Sequence, residues 1–190
     1  LNGANGFRLD GIDARDYSGR SVASAGDVNG DGFDDLIIGA FRGDPGGDSA
    51  AGESYVVFGG AVNLAALDGA DGVVDGGMSL ANLNGATGFR LDGIDPNDQS
   101  GISVASAGDV NGDGFDDLVI GGPYADPGED SAAGESYVVF GKASSFGASL
   151  DLSTLNGTNG FRLDGIDAND LSGMSVASAG DVNGDGYADI

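Results

Sequence analysis

The dominant feature of this sequence is an internal repeat. Residues 6–59 align without gaps to residues 88–141, and 44 of the 54 positions are identical. A third copy, residues 160–190, matches the second copy at 25 of 31 positions. Each repeat of this kind is one supersecondary unit that buries its apolar face against its neighbours. The chain therefore has to fold as an array of similar units.

Each unit is predicted to contain four short strands. In the first full copy these are residues 21–25, 35–39, 54–58 and, after a connector, 89–92. Leu36-Ile37-Ile38 is an unbroken apolar run, as expected of a strand covered on both faces. Glycine interrupts every window of helical length, so only short helical turns are expected, as at 152–155. The fold class is all-β, and four-stranded units along a chain favour a β-propeller over a β-solenoid.

The repeats also set the domain organisation. We expect residues 1–19 to end a preceding blade and 20–93 to form a blade with a long connector at 61–87. Residues 102–166 should form the next blade, and 174–190 should start a third. The ten-residue difference between copies falls in the connector, which predicts a surface loop there. A propeller closes with roughly four to eight blades. This chain is therefore predicted to be an incomplete propeller or an open array.

Composition excludes several functions. The chain has 31 acidic and 7 basic residues, no histidine and no cysteine, and a formal charge of −24. Thiolate or imidazole catalysis, zinc sites and disulfides are excluded, and we interpret the protein as a non-enzyme. Nucleic acids and anionic membranes would be repelled. The apolar runs are far shorter than the ~20 residues of a membrane span.

One oxygen-rich loop recurs between the first and second strand of each unit, at 27–35, 109–117 and 181–189. Oxygen-bearing side chains occupy positions 1, 3, 5 and 9, and glycine occupies position 6. Calcium prefers six to eight oxygen ligands. Position 12 is Ile38 or Ile120 instead of an acidic residue, so the loop is not an EF-hand. A metal-free turn rich in aspartate is the alternative.

The pattern predicts one Ca²⁺ per loop and up to three in the chain. The residue at position 7 would contribute its backbone carbonyl. Position 8 is predicted to be a non-ligand, because the third copy has Ala188 where the second has Asp116. The predicted ligands are Asp27, Asn29, Asp31, Phe33 and Asp35; Asp109, Asn111, Asp113, Phe115 and Asp117; and Asp181, Asn183, Asp185, Tyr187 and Asp189.

Other conspicuous residues receive structural interpretations. Aspartates spaced three apart recur in each copy and are interpreted as solvated turn residues. A recurring strand arginine is expected to form interblade or surface ion pairs. The Arg-Gly-Asp tripeptide at 42–44 is expected by chance in about one such sequence in six, and the second copy replaces it. These residues are Asp10, Asp13, Asp16, Asp92, Asp95, Asp98, Asp164, Asp167 and Asp170 among the aspartates, and Arg8, Arg90 and Arg162 among the arginines.

The unit resembles the FG-GAP repeat of integrin α-subunit propellers and of large bacterial surface proteins. The naming motifs are Phe58-Gly59 with Gly39-Ala40-Phe41, and Phe140-Gly141 with Gly121-Gly122-Pro123. Phe41 departs from the family pattern, which usually has proline there. This affects one turn and leaves the metal loop unchanged.

The resemblance implies a seven-bladed propeller with calcium-binding blades that acts in adhesion or protein recognition. It also implies an extracellular or cell-surface location, and we expect a bacterial source. The expected partner is a protein or a cell-surface ligand. A structural protein whose near-identical units assemble with further copies into a filament or surface layer is the alternative, because a repeating contact would require repeated surfaces.

Overall fold

The computed structural model describes residues 2–3 and 5–190, so Leu1 and Ala4 of the predicted preceding blade lie outside the described residues. Short strands dominate, and a single α-helix, α1, is found among the described residues. The strands are β1 (Arg8–Asp10), β2 (Ser21–Gly26), β3 (Asp35–Ala40), β4 (Glu53–Val57), β5 (Gly77–Ser79), β6 (Gly88–Asp92), β7 (Ser103–Gly108), β8 (Asp117–Gly122), β9 (Glu135–Val139), β10 (Ser149–Asp151) and β11 (Gly160–Asp164), and α1 is Ala61–Asp68.

Two four-stranded antiparallel sheets correspond to the two full repeats. The first has the order β6-β4-β3-β2 and the second β11-β9-β8-β7. In each, the chain moves strand by strand outward from β2 or β7, and the register matches residue for residue between copies. This is the strand arrangement of a propeller blade, and the predicted all-β fold class of incomplete propeller blades is confirmed.

A fifth strand extends the outer edge of the first blade. β10, from the connector of the second blade, pairs in parallel with β6, with Leu150 opposite Leu91. β5 pairs with β1 in the same parallel manner. Each connector therefore adds a strand to the sheet of the preceding unit, which ties consecutive units together. The sequence predicted four strands per unit. It did not predict that a connector strand would pair with the preceding unit, an arrangement called strand exchange below.

The connector of the first blade also differs from the prediction. Residues 61–68 form α1 instead of an extended surface loop, with Leu67 buried at its end. Gly60 and Gly69 flank an eight-residue run without glycine, and this run is long enough for two turns of helix. The predicted turn near residue 152 is confirmed as a short 3-10 helix, where the Asp151 carboxylate accepts the Ser153 N–H at 2.8 Å.

The hydrophobic core lies between the sheets. The largest cluster joins Ile37 and Phe89 of the first blade to Leu118 and Tyr137 of the second, and Phe146 stacks on Phe89 with ring centroids 4.2 Å apart. The adjacent Ile38 faces a separate cluster on the opposite side of the sheet. Both faces of β3 are therefore buried, which explains the unbroken apolar run. No helix among the described residues is long and apolar enough to cross a membrane.

Candidate metal-binding loops

The three aspartate-rich loops have one conformation, and the first carboxylate organises it. Asp27 accepts the N–H of Asp31 at 3.0 Å and that of Gly32 at 2.9 Å. Asp109 and Asp181 make the equivalent pairs of hydrogen bonds in the other two loops. These bonds fold the loop back over its first residue. Positions 1, 3 and 5 of each loop are thereby held within a single turn.

Positions 3 and 5 are held by the same kind of bond. The Asn29 side-chain oxygen accepts the Asp31 N–H at 2.8 Å, and Asp31 accepts the Phe33 N–H at 3.0 Å. Every one of these bonds recurs in the second and third loops. In the first loop, the Asn29 and Asp31 oxygens that make these bonds accept one N–H each, so each keeps one lone pair.

Position 9 lies at the base of the loop, on the first residue of the following strand. Asp35 is 1% exposed and Asp117 is fully buried. Each carboxylate accepts two backbone N–H groups: Asp35 from Val28 at 3.1 Å and Gly59 at 2.8 Å, and Asp117 from the equivalent pair. Burial raises the pKa of Asp35 to about 7 and that of Asp117 to about 6.

The chemistry of this donor set fits a hard cation. Within residues 2–3 and 5–190, no three carboxylates converge into a metal-binding group by themselves. The predicted set also includes an amide oxygen and a backbone carbonyl, and calcium accepts such mixed oxygen ligands. No arginine or lysine of the described residues forms an ion pair with Asp35 or Asp117. Buried carboxylates are normally paired or bind metals, so the residues present fit Ca²⁺.

The third loop is less enclosed. Asp189 accepts the Val182 N–H at 2.8 Å, as its counterparts do, but it is not buried. The only pairing that the described residues show here is a single bridge between Gly180 and Asp189. The hydrogen bonds within residues 181–189 are therefore sufficient for the conformation of the third loop. The burial of position 9 depends on the surrounding blade.

Consecutive loops contact each other across the blade boundary. The Asp116 carboxylate accepts the Asp27 N–H at 2.8 Å, and the Asp116 N–H donates back to the Asp27 carbonyl at 3.2 Å. The sequence analysis described Asp116 only as a non-ligand at position 8. It lies in an interblade contact that sequence reasoning missed. The third copy retains only the backbone bond, from Ala188 to the Asp109 carbonyl at 3.0 Å.

Aromatic side chains at position 7 reinforce this contact. The Phe115 ring lies against Gly30 of the preceding loop, and the Tyr187 ring lies against Gly112. A Cβ atom at either glycine would overlap the ring, and both glycines have positive φ angles, 72° and 78°. The glycine at position 4 of the loop is therefore required by the close approach of the neighbouring blade.

Helix α1 contributes one further residue that the sequence did not indicate. The Asn63 side-chain amide donates to the Asp31 carboxylate at 2.9 Å and to the Gly59 carbonyl at 2.8 Å. The described connector of the second blade has a 3-10 helix but no α-helix, so this contact belongs to the first loop. Only the eight-residue run without glycine could have pointed to it.

Two of the recurring aspartates are not the solvated turn residues that the sequence predicted. Asp16 and Asp98 are buried, at 7% and 5% exposure, and are not solvated turn residues. Their carbonyls accept the N–H groups of Arg42 and Tyr124, which follow the second strand of each blade. The three-residue spacing did not indicate this contact. Burial raises the pKa of Asp98 to about 7, with further contributions from nearby acidic groups.

The recurring arginines pair within their own blade. Arg90 contacts Asp92 and Glu53, and Arg162 contacts Asp164 and Glu135. Arg8 pairs with its near neighbour Asp10 at 2.6 Å. All these partners lie on the same strand or on the adjacent strand of one sheet. The ion pairs therefore lie within one blade and do not join blades, and Glu53 and Glu135 are buried.

Comparison with known proteins agrees with this architecture. A model of the FG-GAP repeat matches residues 18–57 and 100–139. The chain is 33% identical to integrin alpha-PS2 of Drosophila melanogaster over 135 residues, which are 66% of this chain and 8% of that protein. It is 31% identical to integrin alpha-V of Gallus gallus over 178 residues, 92% of this chain and 14% of that protein. Integrin alpha-5 of Xenopus laevis is 28% identical over 188 residues, 97% of this chain and 15% of that protein.

The strand order and the aspartate-rich loops define the class of this protein, which is an array of β-propeller blades. Its two complete blades are FG-GAP repeats, as their motifs indicated. The chain spans less than a sixth of the length of these integrin relatives.

Proposed function

We propose that this chain is a calcium-binding FG-GAP module that acts in adhesion or protein recognition outside the cell. The observation that carries the proposal is the buried carboxylate at position 9, Asp35 or Asp117, which lies beneath a turn of oxygen donors and has no basic partner among the described residues. Bound calcium would supply the positive charge that these carboxylates lack.

The chain's own residues have distinct roles in this proposal. Asp27 and Asp31 hold the turn through backbone hydrogen bonds and keep lone pairs for the ion. Asp35 anchors the base of the turn to β4 through the Gly59 N–H. The loop is therefore prearranged, and this reduces the entropy that ion binding has to overcome. Calcium sites of extracellular modules have dissociation constants of about 10⁻⁴–10⁻³ M.

The recognition role is supported by similarity to integrin α subunits and by a composition without thiol or imidazole groups. Neither thiol nor imidazole is present in the sequence. The charge of −24 disfavours nucleic acids and anionic membranes as partners. A protein or a carbohydrate surface remains as the partner class.

Calcium stoichiometry tests the ligand assignment. Asp31→Ala removes a central carboxylate from the first loop, and Asp34→Ala removes an equal charge from the exposed, unassigned position 8 of the same loop. By titration calorimetry, Asp31→Ala should lower the number of bound calcium ions by one, and Asp34→Ala should leave it unchanged. Equal losses in the two variants would show that the ligand positions are wrong.

A further inference from the structure

The two complete blades differ at only ten aligned positions, and the differences are not scattered. Eight of the ten lie in segments 14–20 and 41–47 of the first copy. The structure brings these segments together: the Arg42 N–H donates to the Asp16 carbonyl at 3.3 Å, and the rings of Tyr17 and Phe41 are 5.5 Å apart. Within the 54 aligned residues, one surface region therefore varies between the copies, and the remaining positions are nearly unchanged.

The divergence adds arginines to a strongly acidic chain. Arg15, Arg20 and Arg42 stand where the second copy has asparagine, isoleucine and tyrosine. The arginines that recur between copies are all in ion pairs. Among the described residues, none of the three new arginines has an ion pair or a side-chain hydrogen bond. Their N–H donors are available to a ligand.

Two of these arginines line one cleft. Its volume is about 420 Å³, and it lies where the loop after β3 meets the loops that precede β2 and β7. The polar and charged side chains of its walls include Arg15, Arg42, Asp16, Asp44, Asn97 and Gln99. Arg20 does not line it.

Aromatic rings hold Arg42 without occupying its donors. Its guanidinium carbon lies 5.3 Å from the Tyr17 ring centroid and 5.6 Å from that of Phe41. Both rings are specific to the first copy, which has Tyr17 and Phe41 where the second has Gln99 and Pro123. A cation–π contact orients the guanidinium and leaves its N–H groups free, unlike a salt bridge.

Arg15 occupies a backbone position that favours a different residue. Its φ is 81°, in the left-handed region, where asparagine is tolerated better than arginine. The equivalent positions in the other copies, Asn97 and Asn169, have the same conformation and carry asparagine. Arginine is less favourable than asparagine in this backbone conformation. We therefore attribute the presence of Arg15 to an interaction of its side chain.

The acidic residues of the cleft are already engaged. Asp44 accepts the Ala50 N–H at 2.6 Å, and Asp126 does the same in the second copy. Asp16 is buried, as its counterpart Asp98 is. These two carboxylates belong to the repeated framework, and the unpaired arginines are the part that distinguishes this cleft.

We propose that this cleft binds one aspartate or glutamate carboxylate on an otherwise uncharged segment of a partner protein. A guanidinium group matches a carboxylate in geometry and charge, and the cleft is lined by two of them. Phosphate has similar geometry, but its charge of about −1.5 to −2 would be opposed by Asp16 and Asp44 in the same cleft. The amides of Asn97 and Gln99 can pair with the backbone of the same segment. The inference rests on the proposed recognition role and names its ligand class.

The binding test uses the whole chain in calcium with a fluorescein-labelled, capped serine peptide that contains one aspartate. Fluorescence anisotropy should show saturable binding, and a matched peptide with asparagine in place of aspartate should not bind. Inorganic phosphate should compete more weakly than acetate at equal concentration. Absence of binding by the aspartate peptide, or stronger competition by phosphate, would overturn the proposal.

Variants then locate the site. Arg15→Asn and Arg42→Tyr introduce the residues that the second copy has at these positions, so the fold should be retained. Each should weaken peptide binding by about tenfold or more, because each removes a charge-assisted hydrogen bond. Arg20→Ile removes the same charge outside the cleft and should change affinity by less than about twofold. Equal weakening by all three variants would show nonspecific attraction and reject the cleft.

The two proposals fail separately. If calcium did not change the melting temperature but the peptide still bound in an arginine-dependent way, the calcium sites would be rejected and the cleft retained. A normal calcium titration without peptide binding would reject the cleft alone.

Discussion

At the residue scale, Asp116 combines a non-ligand position in its own loop with a hydrogen bond to the preceding blade, and the sequence indicated only the first. Its counterpart Ala188 predicts that position 8 carries no calcium ligand, and this prediction stays untested. The carboxylate also accepts the Asp27 N–H from the preceding blade. Sequence position within a loop does not reveal a partner 89 residues away. The contact depends on how the blades pack.

Asp116→Ala should therefore lower the free energy of unfolding by about 1–2 kcal/mol, since it removes a hydrogen bond to a charged acceptor. Asp34→Ala, at the same loop position of the first blade, should change it by less than about 0.5 kcal/mol, because that side chain is exposed. Chemical denaturation in calcium measures both values. Identical values would mean that the interblade hydrogen bond contributes nothing.

Asp98 should make the chain less stable as pH rises. Burial, with nearby Asp95, Glu135 and Asp126, raises its pKa from 3.8 to about 7 in the folded state. Between these values the folded state binds more protons than the unfolded state, so the free energy of unfolding falls as pH increases.

Asp98→Asn should remove this component and raise the free energy of unfolding at pH 7 by roughly 1–3 kcal/mol. The difference from wild type should vanish near pH 4. Denaturation curves across this range, recorded with chelator present, would measure it. Asp130→Asn, at an exposed position, is the charge-matched control. A constant difference at all pH values would argue against titration of Asp98.

At the element scale, the antiparallel strands were predictable and the parallel ones were not. Alternating and unbroken apolar runs placed β2, β3, β4 and β6 to within one residue at each end. β10 has three residues, and its pairing with β6 leaves no local pattern. Helix α1 was missed because its flanking glycines suggested a loop. Local patterns report local burial, whereas strand exchange between units is a property of the array.

Leu150→Ala tests the strand exchange. Leu150 packs against the core between the blades, and the Arg90 N–H donates to the Ala148 carbonyl at 3.0 Å beside it. The variant should lose about 1–3 kcal/mol of unfolding free energy, less than a fully buried leucine. The Arg90 amide should also lose protection from hydrogen exchange. Val62→Ala, on the exposed face of α1, should do neither. Unchanged Arg90 protection would mean that β10 does not stabilise β6.

At the scale of the whole molecule, the near-identity of the repeats predicted the fold but drew attention away from the few positions that differ, where we propose the binding cleft. From the sequence, a repeating contact between units was the alternative explanation for near-identical copies. The structure shows that the differences concentrate around one cleft, so the blades do not present identical surfaces. This favours recognition by one blade boundary over assembly through equivalent contacts. Only the spatial proximity of segments 14–20 and 41–47 made the pattern visible.

The net charge sets the last prediction. Three calcium ions would reduce the formal charge from −24 to −18, since each adds two positive charges. In chelator, raising sodium chloride from about 0.1 M to about 1 M should raise the melting temperature, because the Debye length shrinks from about 10 Å to about 3 Å and screens repulsion. Millimolar calcium should raise it further even at the higher salt, because direct ligation to the folded state adds stability beyond screening. Magnesium at equal concentration should have a smaller effect, since it requires octahedral geometry and retains its waters. Scanning calorimetry under these conditions measures each step, and equal effects of calcium and magnesium at high salt would reduce the role of calcium to charge screening.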